Sequence, residues 1–532
     1  MRSTDVSRRH FLRMTGGAGL LAMTSGTVLA GCGGSSDPSS VKATADVTAP
    51  DYVPYGLVKP DLAATADGVM AGYFKYPRQL IDAYKDKPGA GAGDVSILTN
   101  MFNPAPPGVG SNAYWKALND RIGANLDITM TPAADYVSKL STVIAGGDLP
   151  DLMLIAAKLP NRAEMLTRLC ADLTEFVSGK AIRDYPFLAN LPTDSWLPAM
   201  YKGGIYALPI SRSVIGTIMF SRQDLITARS LNPAPASFAE FSEVARGLTD
   251  AKANKWAFGS PKGVITFIGN MLGVPNVWKK DGDSFVSELE VPERKEAVAR
   301  TAELVKQGVF HPDAIGGKLQ LRDLFGNGTI ALNSDGYAAW DILADTYPVE
   351  VGAMAVPGFD GGKPVQREGT AIFALTAFKK ADPDRIKQLL RICDWLAAPL
   401  GTSEYMFRRF GVEGTDYTWK GDVPERTGVG ETQVKLPLEY VADAPHVLGP
   451  STEQRVKAQR AYQERIVPNL LANPAAALYS ATSISKADEL DKLINAAELD
   501  IVSGRKPIDS WDEAVANWRR RGGDQIRKEL AG

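Results

Sequence analysis

Ala145-Gly146-Gly147-Asp148-Leu149-Pro150-Asp151-Leu152-Met153-Leu154-Ile155 closes one element and opens another. The paired glycines end a helix, and Leu152–Ile155 is a short apolar strand entered through a turn. Working back from it, Asp135 to Ile144 reads as the helix that these glycines stop. Leu126-Asp127-Ile128-Thr129-Met130 reads as a strand before that helix. Tyr114 to Ile122 places Trp115, Leu118 and Ile122 on one helical face. Val95-Ser96-Ile97-Leu98-Thr99 is a β-rich run after glycines. Strand–helix–strand–helix–strand order predicts parallel strands joined by right-handed crossovers, an α/β fold.

Working forward, Gly203-Gly204 predicts a tight hairpin-like turn into an extended Ile205–Pro209. Thr217–Phe220 continues as a strand. Ser237 reads as an N-cap with Glu240 at the capping-box position. A second α/β unit follows through Trp256–Gly259, a helix from Glu293 to Gln307 and a strand at Thr329–Leu332. Ile372–Leu375 is a strand returning the chain to the first lobe. Beyond it the pattern is mostly helical, including Asp384 to Leu396 and Trp511 to Leu530. A chain of 532 residues is too long for one compact core, so two lobes are expected.

Lys plus Arg is 59 and Asp plus Glu is 61, so no basic excess draws nucleic acid. Cys170 and Cys393 pair only if the fold brings them together; two separate buried thiols are the alternative. Beyond the N-terminal segment the histidines are His311 and His446, too few for a histidine-rich metal site. There is no CxxC, no GxSxG elbow, no phosphate loop and no dinucleotide fingerprint, so no cofactor is expected.

The N-terminus carries its own pattern. Arg8-Arg9-His10-Phe11-Leu12-Arg13 is followed by a Gly- and Ala-rich apolar stretch from Thr15 to Val28, too short and glycine-rich to span a membrane stably. Leu29-Ala30-Gly31-Cys32 closes it. The first element resembles a twin-arginine export signal and the last a bacterial lipobox, in which Cys32 accepts the lipid. Gly33–Ser40 reads as a flexible tether, and weakly structured chain is expected to about Gly93, with Tyr73–Tyr76 packing on the body; the stretch before the first strand is either an extra tether or a strap on the first lobe.

Several stretches of the body resemble the extracellular solute-binding proteins of ATP-driven importers, family 1, in particular the large carbohydrate-binding lipoproteins. They are Ala145–Leu152, Gly203–Pro209, Leu304–Asp313, Phe325–Leu332 with Ser334-Asp335-Gly336, Phe410–Tyr417, and Trp518–Glu529. The Glu413-Gly414-x-x-Tyr417 element is the sharpest of them. The resemblance implies a periplasmic-binding-protein-like fold: two α/β lobes, each a sheet flanked by helices, joined by a hinge. It implies residues 1–31 as signal, 32–93 as tether and extension, 94–210 as the first part of lobe 1, 211–370 as mainly lobe 2 with hinge crossings, and 371–532 as a helical region completing both lobes. It further implies a monomeric, non-catalytic receptor that holds a mono- or oligosaccharide and hands it to the permease of an ABC transporter. A surface-anchored carbohydrate-active enzyme, or the same fold holding a peptide or polyamine, are the alternatives.

A sugar presents hydroxyl edges and apolar C–H faces, so its site wants aromatic platforms and planar polar groups in loops after strands. Trp340, with Asp335 and Tyr337, follows the Thr329–Leu332 strand; the alternative is that Trp340 begins a helix and packs inside the lobe. Asn100 and Asn103 follow the first strand and either face ligand or shape a turn. Trp278 either lines the second lobe or fills its core. Arg212 lies at the crossover between lobes and either binds ligand or braces the hinge. Glu413 and Tyr417 are ligand candidates or a buried hydrogen-bonded corner beside the cleft. Asp148 and Asp151 read as capping groups for the turn, not as a catalytic pair, since glycoside hydrolysis needs two carboxyls at a set separation.

Overall fold

A computed structural model describes residues 47–532 except positions 57, 66, 103, 157, 158, 160, 161, 318 and 477. The export signal, Cys32 and Asn103 therefore lie outside the described residues.

Nine strands form the two main sheets: β1 (Asp94–Met101), β2 (Asn125–Pro132), β3 (Leu152–Ala156), β4 (Ala207–Ser211), β5 (Thr217–Arg222), β6 (Trp256–Phe258), β7 (Ile330–Gly336), β8 (Val351–Met354) and β9 (Ile372–Phe378). The first sheet has the order β2-β1-β3-β9-β4 and the second β8-β5-β7-β6. β1 runs parallel to β2 and β3, while β9 returns antiparallel to β3 and β4. In the first sheet Ile97 and Leu98 belong to apolar clusters on opposite faces, as strand alternation demands. That sheet is covered on both sides, which is why Leu152–Ile155 is apolar without a break.

The chain passes between the sheets at 212–216 and 355–371. The helix Pro383–Leu396 then packs into the first lobe's core, while Glu453–Ile466 and Ala481–Val502 contribute to clusters of the second, so the chain crosses again through the 440s. The Ser237 cap forms as expected, with Oγ accepting from the Glu240 N–H at 3.2 Å; Glu240 itself reaches back one residue further, to Ala236 N–H. Cys170 and Cys393 are separate buried thiols. Among the described residues no helix is long and apolar enough to cross a membrane.

Three expectations need correction. The segment from 47 to 93 is not a loose tether. It is a strap tied to both lobes, not to the first alone. Val53 N–H donates to Ala189 O and Met70 N–H to Gln463 Oε1, and the Tyr84 hydroxyl donates to Asp394 at 2.6 Å. Its order comes from partners hundreds of residues away, which local pattern does not reveal. The mostly helical C-terminal part contains a hairpin, Tyr417–Lys420 with Val423–Arg426. The last helix is broken: a π turn at Arg519–Gly523 separates Ser510–Trp518 from Asp524–Ala531, because consecutive glycines do not hold α geometry.

Asp151, the last residue of the turn, ties the first sheet to a later helix. Its carboxylate accepts from Ser96 N–H and Oγ and from Arg385, whose guanidinium also holds the Asp94 carbonyl. Burial works to raise the pKa of Asp151, but Arg385 and the Ser96 donors outweigh it and hold it below its ordinary 3.8. A depressed acid stabilises the fold above its unfolded pKa and loses that contribution as pH falls through the folded value. Asp151→Asn should therefore cost about 2 kcal/mol in urea denaturation at pH 7. The gap to wild type should close as the pH falls below the ordinary 3.8; a gap that is constant with pH would show that the charge is not what matters.

Candidate functional site

The two crossings lie side by side. Gly369 N–H donates to Val214 O and Arg212 N–H to Ala371 O, both at 2.8 Å. Gly216 and Gly369 meet face to face: a Cβ on Gly216 would stand 2.9 Å from the Gly369 nitrogen. No larger residue fits there without parting the segments. The third crossing is held to the first lobe by Asp443, which pairs with Arg408 at 2.6 Å and Arg409 at 2.9 Å. His446 follows it, exposed at the cavity wall; desolvation by the protein packed beside it holds its pKa below the ordinary 6.5.

These segments form part of the wall of a cavity of about 460 Å³. Its second-lobe wall comes from Thr266 and Asn270 on one helix, from Gly336 at the end of β7 and from Tyr337 and Asp341 beyond it. Asn270 is 1% exposed, and its Oδ1 has no protein partner. A buried amide oxygen without a donor is costly unless something else supplies one. Glu368 also lines the cavity; burial, then Asp194, raises its pKa.

At the first-lobe edge Arg212 sits over the Phe373 ring, its Cζ 4.3 Å from the centroid. No carboxylate is among the groups acting on its charge; burial lowers its pKa and Tyr440 opposes this. Phe373, Tyr440 and Phe102 form one aromatic group with centroids 5.0 to 6.1 Å apart. Phe102 is 60% exposed, at the carboxyl end of β1. An aromatic ring left in water where α/β sheets receive ligands is the unusual feature of this surface.

The family profile of bacterial extracellular solute-binding proteins matches residues 111–399, more than half of the chain. The chain belongs to this family. The solute-binding protein is 25% identical over 462 residues to the polygalacturonan/rhamnogalacturonan-binding protein YtcQ of Bacillus subtilis, covering 82% of this chain and 90% of the relative. It is 21% identical to lipoprotein LipO of the same organism, over 82% of this chain and 91% of that one. Its fold is similar to that of the N-glycan transport solute-binding protein of Streptococcus pneumoniae, with a TM-score of 0.62 at 14% identity, over 82% of this chain and 97% of that one. The two-lobed α/β architecture read from the sequence is the architecture of the family.

The cleft of the solute-binding protein brings together only part of the predicted set. Arg212 and Tyr337 line the cavity, but Tyr337 is largely buried, its hydroxyl engaged by Gln459 and Gln463. Asp335 lies at the end of β7 and turns to Arg322, with which it pairs at 2.7 Å outside the cavity. Trp340 is corrected: at 2% exposure it begins the helix Ala339–Thr346 and packs on Phe220, Tyr337 and Tyr462. Trp278 is corrected likewise, at 7% exposure against Phe285 and Trp518. Glu413 and Tyr417 do not line the cavity; the hydroxyl of buried Tyr417 donates to Glu413 at 3.4 Å, but Glu413 is exposed, so the corner is only half buried. Asn100 is buried in β1 with an unpartnered Oδ1, beside the aromatic group rather than lining the cavity.

Sequence reading missed Phe102, although it stands between the two asparagines it selected. An aromatic residue opening a Pro/Gly loop at the carboxyl end of a strand was the available signal. Phe373, Tyr440 and Asn270 gave none, since only the fold brings them near. With Trp340 enclosed, Trp340→Ala should cost about 3–5 kcal/mol in chemical denaturation. Lost ligand affinity with unchanged stability would return its indole to the cleft.

Proposed function

We propose that the protein is a carbohydrate receptor, which closes its lobes on a saccharide and delivers it to the permease of an ABC importer. The observation that carries this reading is the exposed Phe102 ring beside Phe373, Tyr440 and the guanidinium of Arg212. Aromatic faces suit the C–H faces of a sugar. A planar guanidinium suits a hydroxyl pair or a carboxylate, and the unpartnered Asn270 Oδ1 suits a hydroxyl donor across the cleft. The polygalacturonan-binding activity in the name of YtcQ supports the same class and makes acidic saccharides the first to try. Capture is a hinge motion stabilised by a ligand that bridges both lobes. The saccharide is released unchanged, with no chemistry performed on it.

The test is a thermal-shift and calorimetric screen of the full-length protein in detergent against galacturonides, neutral saccharides, peptides and polyamines. Ligand that binds only the native state raises Tm. A selective shift with a saccharide recovered intact is expected. Phe102→Ala should then weaken binding about tenfold, equivalent to ~1.4 kcal/mol, with little effect on stability because the ring is exposed. Consumption of the sugar would make the protein an enzyme. Shifts with peptides or polyamines alone would change the ligand class.

We propose further that the chain is exported by the twin-arginine route and held at the outer face of the membrane by a lipid on Cys32. The Arg8-Arg9 and Leu29–Cys32 motifs and the lipoprotein relative LipO support this. Cys32→Ser should move the protein from the membrane pellet to the soluble fraction; retention in the pellet would refute the anchor.

A further inference from the structure

A second and larger chamber, of about 1030 Å³, lies beneath the strap. Strap residues on one side, among them Tyr52, Tyr55 and Met70, face Asp194, Arg409 and His446 on the other. It is not a separate feature of the molecule. Met70, His446 and Val447 line both the chamber and the cleft cavity. Asp194 of the chamber acts electrostatically on Glu368 of the cavity.

The chamber is furnished for a polar, carbon-faced ligand. Tyr52 is 52% exposed and turned to the space, with Tyr55, Tyr73 and Tyr405 around it. The Tyr55 hydroxyl is shut away from solvent and has no protein partner, although its ring is packed edge-on against Phe187. A phenol usually finds a partner when buried. Arg409 supplies a guanidinium that is 38% exposed although it is paired with Asp443. Small-ligand sites run from roughly 300 to 1,000 Å³, so the cleft cavity alone is near the small end of that range.

We infer that the ligand site continues from the cleft into the chamber under the strap, so that an oligosaccharide longer than a disaccharide lies across both, with Tyr52 and Tyr55 as contact residues. This rests on the carbohydrate reading above and adds the length of the ligand to it. The strap lies outside the residues 111–399 matched by the family profile. Ligand length would then depend on the strap as well as on the two lobes.

The experiment is calorimetric titration of the full-length protein in detergent with an oligogalacturonide ladder from the dimer to the hexamer. Parallel titrations use Tyr52→Ala and Tyr55→Phe. The hexamer should bind wild type more tightly than the dimer. Tyr52→Ala should weaken hexamer binding about tenfold and Tyr55→Phe about fivefold, as loss of a ring contact and of one hydrogen bond implies, with dimer affinity within about twofold of wild type. The Tyr55→Phe ring stays in place, so folding is preserved in at least one variant. Equal affinity for dimer and hexamer, or variants that weaken both alike or neither, would overturn the inference and leave the carbohydrate reading standing. Binding of no member of the ladder, with a clear response to a neutral hexasaccharide that Tyr52→Ala weakens, would keep the inference and change only the sugar. No response to any saccharide would remove both.

Discussion

Two backbone segments, Arg212–Gly216 and Glu368–Ala371, run side by side between the sheets with two glycines in contact. The arrangement of the cleft follows from that contact. Because Gly216 and Gly369 carry no side chains, the segments approach closely enough to exchange backbone hydrogen bonds. The pair presents Arg212 to one lobe's aromatic group and Glu368 to the cavity. A hinge made of paired extended chain bends through its dihedrals while keeping its register, which suits lobes that open and close around a ligand.

The third crossing and the strap add constraints of another kind. Asp443 is buried and would be costly there unpaired; Arg408 and Arg409 together hold it ionised, below its ordinary pKa despite burial. The strap is fixed at its lobe-2 end by Leu448 and the Glu453–Ile466 helix and at its lobe-1 ends by Ala189, Glu404 and Asp394. Asp394 is fully buried and accepts from Tyr84 and two backbone amides, while burial pushes it up to about 7. A segment of chain therefore spans the two lobes from outside, beyond the connections of the two sheets.

Where aromatic residues go is the instructive point. Trp340 and Phe102 both follow strands in polar, turn-rich sequence. The sequence favoured the larger ring, since a tryptophan beside Asp335 and Tyr337 has the look of a sugar platform. In the structure Trp340 starts a helix and is enclosed by Phe220, Tyr337 and Tyr462, while Phe102 is left in water. Burial of an aromatic side chain depends on which distant residues arrive to cover it. Tyr462 is separated from Trp340 by more than a hundred residues, and nothing local announces it.

The sequence by itself determined the alternating α/β order, the strands at both sheet centres, the Ser237 cap and the lobe crossings near Arg212 and before Ile372. These depend on short-range periodicity and on glycine and proline placement, which act within a few residues. Family membership was legible for the same reason, in short segments such as Ala145–Leu152. The tertiary structure alone decided which rings are enclosed and which is left in water, how Gly216 and Gly369 meet, and that residues 47–93 form a strap. Those outcomes are contacts between segments far apart in the chain, and a segment with no periodicity of its own takes its conformation from the surfaces it lies on.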